Sequence, residues 1–133
     1  MNQPKQVPLW SDAPPDGLLQ HSEAEIFTDH TEEDQRLNRM YGLVSQPTIS
    51  IHQPSPETNT GAAVVVFPGG GFVDVWIDKE GYDAARWLNS IGVTAIVVKY
   101  RTGPRDQPIF GNDALMRIIM DATLADAKRA VRT

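Results

Sequence analysis

Residues 67–71, Phe-Pro-Gly-Gly-Gly, hold the clearest chemical signal in this chain of 133 residues. Three residues without side chains follow a β-branched apolar run, Ala62-Ala63-Val64-Val65-Val66. Backbone N–H groups in such a loop can approach a negative charge closely, because no Cβ blocks them and glycine accepts unusual φ/ψ values. A phosphate cradle of the P-loop kind needs a Lys–Ser/Thr pair after the loop, but Phe72, Val73 and Asp74 stand there. A dinucleotide fingerprint starting at Gly69 would put Asp74 at its third glycine, where it would repel a pyrophosphate. An oxyanion hole fits better. A loop between a sheet strand and a helix lies at the carboxyl end of the sheet, where α/β active sites sit. The purely structural alternative is a glycine turn that lets strand and helix pack closely.

The flanking segments must position that loop. Ala62–Phe67 and Thr94–Tyr100 are continuously apolar and β-branched, the pattern of strands buried on both faces of a parallel sheet. Between them Ala84, Ala85, Leu88 and Ile91 recur at helical spacing, with Asp78 as N-cap and Gly92 as C′ stop. Strand, glycine loop, helix and strand make a βαβ crossover. Pro47–Pro54 alternates, predicting a strand with Ile49 and Ile51 on its buried side. The polar stretch His30–Gly42 reads as loop or a short helical turn. In Ala114–Thr133, Met116, Ile119, Met120, Leu124, Ala127 and Val131 form one apolar stripe, with a break near Asp121; Asp126, Lys128, Arg129 and Arg132 face away from it. Pro4, Pro8, Pro14, Pro15 and Gly17 predict an extended arm over residues 1–20, with the domain proper over 21–133.

Bulk properties exclude several classes. A net charge of −5 argues against a binder of nucleic-acid backbones, which needs clustered Lys and Arg. The absence of cysteine excludes disulfides, thiolate metal sites and a cysteine nucleophile. His30 sits among Asp29, Glu32, Glu33 and Asp34, but the spacing matches no metal-ligand pattern. No cofactor is implied. The first residues lack the apolar core of a signal peptide, which places the chain in the cytoplasm as written, or outside the cell if a leader was removed.

Taken together, "TGAAVVVFPGGGF", "DKEGYDAARWLNSIGVTAIVVKYRTGP" and "DAKRAVRT" resemble the amino-terminal half of α/β-hydrolase-fold esterases and lipases. The nearest kind is the acetyl-esterase and acetylxylan-esterase-like group with Pro-Gly-Gly-Gly-Phe/Tyr; Pro68 stands where many relatives carry His. The resemblance runs from about Gln46 to the end. It implies a partial α/β-hydrolase fold, with a mostly parallel sheet, helices on both faces and no carboxyl-terminal half. It implies oxyanion-binding N–H groups at Gly70 and Gly71, with Phe72 at the substrate-pocket edge. Tyr100 and Arg101 would support the pocket floor, and Asp126 and Arg129 would pack the last helix. The implied substrate is a small acyl ester or an acetylated carbohydrate.

The nucleophile of that chemistry is missing. None of Ser11, Ser22, Ser45, Ser50, Ser55 and Ser90 lies in Gly-x-Ser-x-Gly, and His21, His30 and His52 all precede the glycine loop, against the order Ser, acid, His. The expectation is an esterase portion with an oxyanion loop and no turnover of its own. The alternative is a truncated, non-catalytic relative acting as a binding or interaction module. In either case a strand edge should lie open to self-association or to a partner chain.

Overall fold

The computed structural model describes residues 4–133, so the first three residues of the expected arm lie outside it. Two sheets form. The larger has the order β1-β4-β7-β5, from Gln6–Pro8 (β1), Thr48–His52 (β4), Ala63–Val66 (β5) and Thr94–Lys99 (β7). The smaller has the order β2-β3-β6, from Ile26–Asp29 (β2), Arg39–Gly42 (β3) and Asp74–Val75 (β6). The expectation of a mostly parallel sheet is corrected: β5 and β7 are parallel, but β1 with β4 and β4 with β7 are antiparallel, so the sheet is mixed. Only strands joined by a helical crossover are required to run parallel. That condition holds for β5 and β7 alone, while a turn reverses the chain after β4.

The crossover ends in an orderly way. Helix α1, Asp83–Ser90, stops as Val93 N–H donates to Leu88 O at 3.0 Å and Gly92 N–H to Asn89 O at 3.1 Å. Gly92 adopts φ +80°, completing a Schellman motif at the predicted C′ glycine. The start differs from expectation. A π-helical turn, Asp78–Tyr82, precedes α1, and Asp78 is not its N-cap. Its buried carboxylate instead takes Arg39 N–H at 2.8 Å and the Arg39 guanidinium in a two-point pair at 2.7 Å. That pair ties β3 to the turn, and β3 itself lies where loop or a short helical turn is expected.

Burial also departs from simple periodicity. Ile49 is buried, but so is Ser50, and Ile51 is exposed. Helix α1 packs against β4 and β7, and Tyr82 stacks on His52 with ring centroids 5.1 Å apart, so the helix layer covers the Ser50–His52 side. β5 sits at the sheet edge with Val64 exposed, rather than buried on both faces. Helix α2, Asp113–Arg132, is continuous through Asp121, with Asn112 Oδ1 capping Leu115 N–H. It buries Ile119, Ala122, Asp126 and Ala130, while Met120, Leu124 and Val131 of the expected inner stripe are exposed.

Arg101 and Asp126, both 0% exposed, explain that rotation of α2. Asp126 accepts Arg101 N–H at 3.0 Å, the guanidinium at 2.9–3.1 Å, and Trp10 Nε1–H at 3.1 Å. Burial by itself lowers the guanidinium pKa, but hydrogen bonds to Asp16 and Asp126 outweigh it and hold it raised. Removing Asp126 strips the buried guanidinium of its one fully buried counter-charge and leaves it only the partly exposed Asp16. Asp126→Ala should therefore destabilise the fold by about 3–5 kcal/mol in urea unfolding, with Arg101→Met/Asp126→Leu recovering much of the loss. Burial, aided by Arg86, holds the His52 pKa below its ordinary 6.5. Below that value the unfolded chain binds more protons than the folded one, so stability rises with pH. The His52 contribution should be full above pH 6.5 and fall away as pH drops through the depressed folded value, and His52→Gln should flatten that slope in denaturation midpoints.

Candidate functional site

The glycine loop forms one wall of a cleft of about 500 Å³. Phe67, Pro68, Gly69, Gly70, Gly71 and Phe72 line it from the loop, Tyr100 from the end of β7, and Met120, Asp121, Thr123, Leu124 and Ala127 from α2. The lining is mostly apolar because α2 turns its exposed hydrophobic face toward the loop.

Each part of the loop is pinned by a different segment. Tyr100 Oη donates to Pro68 O. Burial pushes the Tyr100 phenol up to about 12, with Glu80 and Asp74 adding to the effect, so it stays a donor across the neutral range. Gly69 N–H donates to Glu80 Oε2 at 2.7 Å. Gly70 O accepts from Val73 N–H at 3.2 Å and Asp74 N–H at 3.0 Å, and Phe72 O accepts from Gly103 N–H at 2.7 Å. Gly71 and Phe72 have φ of +61° and +65°, the signs of a type I′ turn across Gly70–Val73. A bulky residue at positive φ is strained, and Phe72 carries that strain.

Among the described residues, the N–H groups of Gly70, Gly71 and Phe72 donate to no protein acceptor. The structure thus brings Gly70, Gly71, Phe72 and Tyr100 to one cleft. Arg101 and Asp126 lie buried outside it, and Arg129 donates to Leu9 O at 3.1 Å. Asp126, expected from periodicity on the side away from the apolar stripe, is fully buried. Asp74 is engaged by Arg105. No serine or histidine among the described residues lines the cleft. His21 Nε2 contacts Thr102 O at 2.7 Å, His30 stacks on Trp76, and His52 lies beside Ser50 and Tyr82.

One positioning group escapes a reading by motif: Glu80 acts on the backbone N–H of Gly69, and its only sequence trace is its place in "KEG", whereas Tyr100, expected at the pocket floor, holds Pro68 O. The cleft-facing role of Met120 and Leu124 is hidden because an apolar stripe looks the same whether it meets a core or a cleft.

The loop discriminates sharply between its glycines. A Cβ on Gly70 would come within 1.9 Å of Asp74 O, whereas one on Gly71 meets nothing within 4 Å. Gly71→Ala should cost only the left-handed backbone penalty, about 1–2 kcal/mol in chemical denaturation. Gly70→Ala should cost more, and should shift the Val73 and Asp74 amide resonances as the turn opens.

No family model matches the chain. Half of it is 39% identical over 69 residues to an acetylxylan esterase of Xylanibacter ruminicola, of which it spans 14%. An acetyl ester-xyloside bifunctional hydrolase from Caldicellulosiruptor lactoaceticus, a solved structure, shares the fold: TM-score 0.52 over 98% of this chain and 35% of that one, at 23% identity. The sequence likeness supports a relationship to an ester hydrolase and the structural one shows the fold; the chain spans a minor share of the length of either protein.

Proposed function

We propose that the chain is the amino-terminal part of a carboxylic ester hydrolase of the α/β-hydrolase fold, in the Pro-Gly-Gly-Gly-Phe/Tyr group. Gly70 and Gly71 N–H would hold the oxyanion of a tetrahedral intermediate, with Phe72 at the pocket edge. The observation that carries this reading is the set of three successive N–H groups left without acceptors beside an apolar cleft. The surrounding loop is pinned through its other backbone atoms, so these donors need no reorganisation when charge develops. The strain at Phe72 fits a loop shaped by its task.

The nucleophile would come from a further strand bearing Gly-x-Ser-x-Gly, pairing along the open outer edge of β5. The named relatives, an acetylxylan esterase and an acetyl ester-xyloside hydrolase, support an acetylated carbohydrate as substrate. Among the described residues, no serine or histidine lines the cleft. That favours, as a second reading, a non-catalytic relative that binds acyl or carbohydrate groups without turning them over.

Alone, the 133-residue chain should not hydrolyse p-nitrophenyl acetate above background. Hydrolysis blocked by a serine-reactive phosphonate would overturn that expectation. Titration with acetate should shift the amide signals of Gly70, Gly71 and Phe72 before others, and unmoved signals there would refute the oxyanion role. Ultracentrifugation should find self-association through the open β5 edge. A strictly monomeric chain would count against a covering partner.

A further inference from the structure

A second concavity begins one residue from the proposed oxyanion site. Two hollows, of about 130 and 260 Å³, share Asn38 and Lys79 and so form one groove. Its inner end is Glu80, whose carboxylate bonds Gly69 N–H at 2.7 Å. Whatever fills the groove therefore lies next to the glycine loop.

The chemistry of the groove is specific. Trp76 lines it, half-buried, with the His30 ring against it at 5.4 Å. Asn38 Oδ1 is buried and has no partner among the described residues, while its exposed Nδ2 donates only to His30 O, at 3.5 Å, and so keeps an N–H for an acceptor from outside. Arg36 and Lys79 share the lining with Glu32 and Asp34, so the signs nearly cancel. That balance disfavours a phosphate, and among the described residues no group of side chains is placed to hold a metal ion. A neutral ligand with an apolar face for the indole and a rim of hydroxyls for Asn38, Lys79 and Glu80 fits all three features.

We propose that this groove is a saccharide subsite that holds a pyranose ring of the ester's carrier. The ring stacks on Trp76, and one hydroxyl accepts from Asn38 Nδ2–H. An acyl group on a neighbouring hydroxyl then reaches past Glu80 to the glycine loop. The inference rests on the ester-hydrolase reading of the cleft, but the binding it requires does not need the nucleophile.

The test is titration of the chain with unacetylated xylotriose, read by tryptophan fluorescence and by indole and Asn side-chain NMR signals. Saturable binding should shift the Trp76 indole and Asn38 amide signals. Asn38→Ala and Lys79→Ala should each bind about tenfold more weakly, the size of one or two neutral hydrogen bonds. Trp76→Ala should abolish binding, and Trp87→Phe, on the exposed face of α1, should leave it unchanged. If Trp76→Ala does not fold, the Asn38 and Lys79 variants decide the matter. No saturable change, or shifts centred on Trp87 or Trp10, overturns the subsite. Acetate shifts at Gly70–Phe72 without xylotriose binding would sink the subsite alone. Xylotriose binding without acetate shifts would instead sink the oxyanion reading.

Discussion

A guanidinium that water does not reach must find both its counter-charge and all its hydrogen bonds inside the protein, and Arg101 does so at the end of β7. Asp126 on α2 takes its backbone N–H and two of its side-chain nitrogens. Asp16 and Leu18 O take donors from the opposite side, and Ala122 O takes another. Three segments far apart in sequence are thus fixed around one side chain. An unpaired donor here would cost more than any single packing contact nearby, so the orientation of α2 follows from it.

The residues around Arg101 extend the same logic to the cleft. Tyr100 holds Pro68 O, Thr102 exchanges hydrogen bonds with Val44, and Gly103 N–H holds Phe72 O. A Cβ on Gly103 would meet Ile119 Cδ1 at 2.7 Å, so α2 packs directly against this stretch. Four successive residues after one strand therefore set the helix, the strand β3 region and both ends of the glycine loop. The loop's strained geometry is affordable because its neighbours over-determine it.

Glu80 links the two concavities physically. Its carboxylate closes one end of the polar groove and pins the first glycine of the apolar cleft. The buried Arg39–Asp78 pair fixes the π-helical turn that carries Glu80. The apolar cleft and the polar groove thus lie on either side of one hydrogen bond, Gly69 N–H to Glu80.

Much of this was legible from one dimension. The apolar runs marked β5 and β7, Gly92 marked the helix stop, and the triple glycine marked the loop after β5, since strand hydrophobicity and turn geometry are local properties. Tertiary structure decided the rest. β3 and β6 are too short and polar to announce themselves, and they exist because β2, the Arg39–Asp78 pair and the loop hold them in register. The inward face of α2 was set by one buried ion pair rather than by its apolar stripe, because an uncompensated charge outweighs the burial of Met120 or Leu124. The sequence alone marked the glycine loop, while only the folded chain showed which of its N–H groups find no acceptor among the described residues, because hydrogen-bond partners distant in sequence are fixed by tertiary contacts.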